Sequence, residues 1–510
     1  MNDTSETGDA RRPRRRTLVA GATAIAAAAV TATLALRESR TAGDAPARAA
    51  ATPAPAARRS ATPAPSPSPT ATAGPRARSD RRPNILLVLT DDQPKGTDWA
   101  LRQTLDWLGR DGVTFERAHA NTPLCAPSRA SIMSGRYAHH HGVLDTRHPS
   151  RLDQHTTVQR QLREAGYRTG LFGKYLNYWR PADNPPHFDE WLLQEPVAYT
   201  DGHYNDGGTV RTVPGYSTTV IKDRALAFIE RSRTDDRPWF AYVAPRAAHE
   251  VNIPDGKYAH TRVPAWDGRP SVFETARADK ADKPPFLRAA HHSFDEGRAL
   301  RARQMRTLLS VDDAMRDFRD KLRELGQLEN TLVLFTSDHG LCWGDHGWLR
   351  KSVPYRPSLE VPFLMSWPAG GLAGGGTDDR LTCHVDIAPT FLAAAGVTPD
   401  TPHDGHSLLD PRNDRHHVLA EWWWNRQDKV PIHSWASYVG RAEQYTEYYR
   451  GRLDAGGRPQ GSGEVLFREY YDLRADPYQL ANLLHGATAA QERRWGIADL
   501  ARELAAARGA

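Results

Sequence analysis

Four short, largely apolar runs, each ending abruptly in a polar cluster, constrain this chain more than any other feature. Asn84-Ile-Leu-Leu-Val-Leu-Thr90 runs into Asp91-Asp92, and Tyr167-Arg-Thr-Gly-Leu-Phe172 into Gly173-Lys174-Tyr-Leu-Asn177. Pro238-Trp-Phe-Ala-Tyr-Val243 leads to His249-Glu250, and Thr331-Leu-Val-Leu-Phe335 to Thr336-Ser-Asp338-His339-Gly340. Such runs predict strands covered on both faces, the condition of a parallel sheet between helical layers. Helical patterns lie between them, notably from Leu300 to Leu325, where Met305, Leu308, Leu309, Ala314, Met315, Phe318 and Leu322 mark an apolar stripe. Parallel strands present their carboxyl ends at one edge, where open α/β sheets hold ligands. One Asp after one strand is commonly a turn or cap residue. Two acidic clusters after two strands point to a metal.

A length of 510 residues accommodates two or three average domains, or one large α/β domain with a satellite. Of the 67 basic and 61 acidic side chains, residues 1–80 hold 12 and 6, so the whole formal excess of +6 lies there. The remainder is balanced, with no general basic field to attract nucleic acid, which is therefore not expected as a partner. Arg11 to Leu36 has the basic and apolar regions of an export signal, and Arg15-Arg16-Thr17-Leu18-Val19 resembles the twin-arginine pattern. This predicts a secreted or cell-surface protein; the alternative is that the Ala-rich run is retained as a membrane anchor. Residues 1–40 are assigned to this segment and 41–80, rich in Ala, Pro, Ser and Thr, to an extended spacer. The catalytic domain is placed at 81–400 and a C-terminal subdomain at 401–510.

The stretch from Thr122 to Arg136 gathers Cys125, Pro127, Arg129 and Ser134-Gly135-Arg136. Ala126-Pro127-Ser128 reads as a turn into a helix start, which puts Cys125 at a helix N-terminus among unpaired backbone N–H groups. A bare cysteine there is most often an ordinary buried thiol. Cys125-x-Pro127-x-Arg129 extended to Gly135-Arg136 resembles the signature of the type I sulfatases, whose cysteine is oxidised to formylglycine. Matches to that family cover most of residues 83–485.

The resemblance implies an alkaline-phosphatase-like α/β sandwich, with a central mostly parallel sheet and a smaller C-terminal α+β domain. It makes Asp91, Asp92, Asp338 and His339 ligands of one divalent cation, together with the modified Cys125. Arg129, Lys174, His249 and Lys351 match positions that hold the formylglycine and the sulfate; His346 is a weaker candidate beside Lys351. The cation expected is calcium, a match to carboxylate oxygens, with manganese or magnesium left open because His339 stands where many members have Asn. Maturation would require a formylglycine-generating enzyme. Cys342 and Cys383 remain as candidates for a disulfide. The segments around His384-Val-Asp386 and Tyr471-Asp-Leu are similar to recurrent structural stretches of the family.

Where many sulfatases have Gly-Lys-Trp-His, this chain has Gly173-Lys-Tyr-Leu-Asn177, similar to the branch of N-acetylglucosamine-6-sulfatases and heparan endosulfatases. A histidine role is left unfilled, with Asn177, His139, His140 and His141 as candidates. The implied reaction is hydrolysis of sulfate monoesters of a sulfated saccharide, foremost 6-O-sulfated glucosamine. One geminal hydroxyl of the hydrated aldehyde attacks sulfur and the other later expels sulfate. Trp422-Trp423-Trp424 are candidates to stack a sugar, or else interface core. The competing readings are a phosphodiesterase or phosphonate hydrolase of the same superfamily, and a non-catalytic binder of sulfated glycan.

Overall fold

The computed structural model describes residues 81–509 except 196–197, 277 and 426–431. The expected export segment and spacer, 1–80, lie outside the described residues. Ten strands form one sheet: β1 (Asn84–Thr90), β2 (Val113–His119), β3 (Arg168–Gly173), β4 (Glu190–Gln194), β5 (His203–Asp206), β6 (Thr209–Thr212), β7 (Trp239–Ala244), β8 (Thr331–Ser337), β9 (Phe363–Ser366) and β10 (Thr377–Cys383). Their order is β10-β2-β9-β8-β1-β7-β3-β4-β5-β6. The four apolar runs are the contiguous centre β8-β1-β7-β3, all parallel. Val88 of β1 lies opposite both Phe335 and Val243, and Ala244 opposite Gly173, so the carboxyl ends finish almost level.

Alternate residues of β1 enter two different cores. Ile85, Leu87 and Leu89 pack with the helices Cys125–Ser134, Val158–Glu164 and Ile387–Ala395. Leu86 and Val88 pack with Ser217–Glu230 and with the long helix Phe294–Glu324. That helix buries Met305, Leu308, Ala314, Met315, Phe318 and Leu322 of the expected stripe and Val311 besides, with Leu309 only partly buried, and it begins six residues before Leu300. Its first turn is fixed by a capping box, in which Ser293 accepts from the Glu296 N–H and the Glu296 carboxylate from the Ser293 N–H.

A second sheet follows, built from β11 (His417–Trp422), β12 (Ser434–Gly440) and β13 (Glu443–Tyr449). After a short ribbon, β14 (Arg452–Leu453) and β15 (Pro459–Gln460), it is completed by β16 (Val465–Asp472). The four are antiparallel in the order β11-β12-β13-β16. One face carries Leu419, Ala436 and Tyr445 against the helix Ile497–Ala507. The other packs Trp422, Trp435 and Tyr448 against Trp348, Val353, Tyr355 and Leu359. Cys342 and Cys383 are not paired: both are buried free thiols, Cys342 in this interface and Cys383 beside Asp386 and Arg415.

Candidate active site

Cys125 opens its helix, with Leu124 as the cap residue, and is 1 % exposed. The level strand ends aim four polar clusters at it. From β1, Asp91 Oδ1 lies 3.5 Å and Asp92 Oδ1 3.9 Å from Cys125 Sγ. From β8, His339 Nε2 lies 3.3 Å from the same sulfur. The Nδ1–H of His339 donates to the Gly340 carbonyl at 2.9 Å, which leaves Nε2 facing the cluster. Lys351 Nζ approaches Sγ to 3.1 Å and Asp92 Oδ1 to 2.5 Å. Lys174 donates to Asp91 Oδ2. The glycine before it is obligatory: Gly173 has φ +107°, and a Cβ would come within 2.1 Å of the Ala244 carbonyl oxygen.

Arg129, on the first turn of the Cys125 helix and wholly buried, donates through Nε to Asp338 Oδ2 at 2.9 Å and through Nη1 to the Lys174 carbonyl at 3.1 Å. Its Nη2 is buried with no acceptor, 3.7 Å from Asp91 Oδ2. His249 donates through Nδ1 to the Glu250 carbonyl at 2.6 Å and sets Nε2 3.8 Å from Asp92 Oδ2. All nine expected residues are therefore near one another, although Asp338 stands at the margin. Its Oδ1 accepts the Asp92 N–H at 3.1 Å and lies 3.5 Å from His339 Nε2. Asp91, Asp92, Cys125 and His339 form the tight group, with ligand atoms all within 4.8 Å of one another.

The electrostatics follow from crowding buried charges. Burial opposes ionisation of Cys125, but Lys174 and Lys351 outweigh it and hold the thiol well below its usual range. Asp92 is similarly opposed by burial and carried down to about 2 by Lys351 and His249. Asp338 is pushed up to about 6 by burial and the neighbouring Asp91. For His339 the carboxylate of Asp338 and the thiolate outweigh burial and raise it to about 9. Three carboxylates and an imidazole nitrogen crowded into a buried cluster match a divalent cation in both charge and donor chemistry. Arg129 Nη2, without a hydrogen-bond acceptor, has only the 3.7 Å ion pair with Asp91 to balance it.

Other candidates lie elsewhere. His139 pairs with Glu421, His140 with Asp404, and His141 with Ser131. His346 bonds Glu274 at 2.5 Å and packs on Tyr355. Asn177 has a buried Oδ1 without a hydrogen-bond partner. Trp422 and Trp423 are 5 % and 7 % exposed and belong to core clusters, so they are interface rather than open stacking platforms. Trp422 borders, with a small part of its surface, a cavity of about 250 Å³ beside the Cys125 cluster, whose walls include Asp92, Leu124, Trp348, Leu349 and Lys351.

Two contributors escaped the sequence reading. Gln304 of the long helix donates to the carbonyl oxygens of Asp92 and Ala248 at 2.9 and 3.1 Å. A polar residue midway between Leu300 and Leu308 on the buried stripe was its signal. Ser128 donates to the Asp338 carbonyl and accepts from His384 Nδ1 at 2.8 Å, so the segment read as structural stands directly behind the cluster.

The chain resembles several known proteins. It is 31 % identical over 374 residues to the extracellular sulfatase SULF-1 homolog of Drosophila melanogaster, covering 68 % of this chain but only 32 % of that protein's length. It is 26 % identical over 499 residues to the N-acetylglucosamine-6-O-sulfatase of Bacteroides thetaiotaomicron, covering 83 % of this chain and 86 % of that one. A protein solved in complex with its substrate D-glucosamine-2-N,6-O-disulfate superposes with a TM-score of 0.71 at 21 % identity, over 84 % of this chain and 98 % of that one. The family model described as Sulfatase matches residues 83–397, a span that holds every strand of the large sheet and every residue gathered around Cys125, and the chain therefore belongs to the Sulfatase family.

Proposed function

We propose that this protein hydrolyses sulfate monoesters and that 6-O-sulfated glucosamine, free or within a glycan, is its substrate. The observation that carries the reading is the convergence on Cys125 of Lys351, Asp91, Asp92 and His339 in a chain of this family. Gly173-Lys174-Tyr-Leu-Asn177 supports the glucosamine assignment, as do the names of the relatives. The cavity beside the nucleophile has room for the ring that carries the sulfate.

Asp91, Asp92, Asp338 and His339 would hold one cation, calcium by the oxygen majority of the set, with Cys125 carried as formylglycine. Such a cation supplies Lewis-acid polarisation, and the aldehyde hydrate an oxygen nucleophile. The chain's own residues do the rest. Lys174, Lys351 and Arg129 supply the positive charge that would balance sulfate oxygens, in a site where fixed charges need no reorganisation. Burial opposes protonation of His249, but Asp92 and Asp91 outweigh it and raise its pKa, which favours a proton on the ring. With Nδ1 committed to Glu250, that proton is available at Nε2 for the leaving alcohol.

An export signal at 1–40 fits the relatives named extracellular. No helix of the described residues is long and apolar enough to cross a membrane. Domain limits at 81–400 and 401–510 fit a second sheet that begins at His417. The test is sulfate release from matched 6-O-, 3-O- and 2-O-sulfated glucosamine and uronic acid isomers, alongside phosphate esters. Preference for the 6-O-sulfate is expected. Faster release from a secondary position would overturn the substrate, and faster phosphate release would overturn the reaction.

A further inference from the structure

Lys351 is carried by a segment with no strand or helix between Ser337 and Arg356 to hold it. Its ammonium must nonetheless be set between Asp92 and Cys125. The residue after it, Ser352, has φ +74°, a left-handed conformation that a residue with a Cβ keeps only when its surroundings impose it. Those surroundings come from the C-terminal part of the chain. The indole Nε1 of Trp435, in β12, donates to the Ser352 carbonyl at 3.0 Å. Gln444, in β13, donates through Nε2 to the Pro354 carbonyl and accepts at Oε1 from Gln479 Nε2 at 3.1 Å. Gln479 Oε1 in turn accepts the Arg356 N–H at 2.8 Å, closing a circuit of two amides around residues 354–356. Tyr355 donates to Glu469, in β16, at 2.7 Å. On the near side, Trp348 Nε1 donates to the Lys351 carbonyl at 3.2 Å.

Trp435 is well suited to this task. It is 1 % exposed and lies opposite Trp422 on one side and Tyr448 on the other, so its indole has no freedom to follow a wandering loop. We infer that the C-terminal sheet is the mount of Lys351, and that Trp435 is a positioning residue acting through Ser352, with the Gln444–Gln479 circuit as the second support. This rests on the proposed role of Lys351 in holding the sulfate group.

The experiment uses the full-length mature enzyme. Trp435→Phe keeps the ring packing and removes the donor. Its kcat is expected to fall about tenfold with KM little changed, within the ~100-fold that a 1 Å misplacement can cost. Tyr445→Phe removes a hydroxyl bond to Glu447 on the opposite face of the same sheet and should leave kcat unchanged. In a Lys351→Ala background, Trp435→Phe should cost nothing further, because its effect passes through the lysine. Labelling of Lys351 by an amine-reactive anhydride, followed by peptide mass spectrometry, should be several-fold faster in Trp435→Phe than in wild type or Tyr445→Phe. Should Trp435→Phe fold poorly, Gln444→Met carries the same expectations. Unchanged labelling and kcat, or an equal loss in both backgrounds, would overturn the inference. Wild-type turnover by Lys351→Ala would instead strike the role of the lysine itself.

Discussion

Gln304 and Asp92 are joined by a 2.9 Å hydrogen bond from the glutamine Nε2 to the aspartate carbonyl oxygen, although they come from the long helix and the end of β1. Asp92 has φ +61°, a conformation costing about 1–3 kcal/mol that is retained only where several contacts enforce it. The same amide reaches the Ala248 carbonyl, next to His249, and accepts from Trp343 Nε1 at 2.6 Å. Gln304→Met keeps the volume but loses all three bonds. It should lower stability by about 1–3 kcal/mol through groups left unsatisfied and lower kcat by about tenfold or more. Thermal melts and steady-state kinetics check this; unchanged kcat in a folded variant would show that the bond does not serve the site.

Cys125 in enzyme made together with a formylglycine-generating activity should be found as the aldehyde. Peptide mass spectrometry around residue 125 reads this directly. Cys125→Ser should lack turnover in that host, and full activity from protein carrying only the thiol would end the proposed chemistry.

Metal content should track the cluster. Asp92→Asn and His339→Ala should each lose most of the bound divalent cation, measured by elemental mass spectrometry of dialysed protein. Chelator should abolish activity in the wild type, with calcium restoring it. Wild-type metal content in both variants would remove these residues from the site.

His141 predicts a feature of acid stability. It is buried, and its Nδ1 accepts the Val143 N–H at 3.1 Å, so a charged ring would set donor against donor. Burial first and Arg136 second bring its pKa down to about 3. A histidine depressed on folding contributes stability that is complete above its unfolded value of about 6.5 and lost as pH falls towards 3, because only the unfolded chain takes up the proton. The slope is at most about 1.4 kcal/mol per pH unit. His141→Gln should flatten the urea-unfolding free energy between pH 6.5 and 4; an unaltered slope would refute the assignment.

The centre of the sheet was legible because β7 and the middles of β1 and β8 are unbroken apolar runs, which a doubly covered strand requires, while β3, which contains Arg168 and Thr169, was legible chiefly through its Leu171-Phe172 and the Gly173-Lys174 that follows. Cys125 and the acidic clusters were legible because their identities and spacing carry the chemistry. The edge strands were not: β6 is exposed throughout, with nothing in its pattern to separate it from a loop. Trp435 and Gln444 were invisible for another reason. Each acts on a backbone carbonyl some ninety residues away, and a carbonyl has no identity in a sequence. For Trp422 and Trp423 the structure decides between the two readings in favour of core, a choice that aromatic size alone could not make because it says nothing of which way a side chain faces.

The burial of Cys125 also sets a clock. An oxidising enzyme must reach the sulfur and its β-carbon, yet in the folded protein the residue is 1 % exposed beneath Lys351 and the strand ends. On the proposed chemistry, conversion must therefore be finished while the chain is still open, and each molecule has one opportunity. A molecule that folds first is stranded as a stable, well-packed and inert protein. The active fraction of a preparation then reports the outcome of a race between modification and folding, and slowing synthesis or lowering temperature will alter specific activity without changing a single contact in the native state.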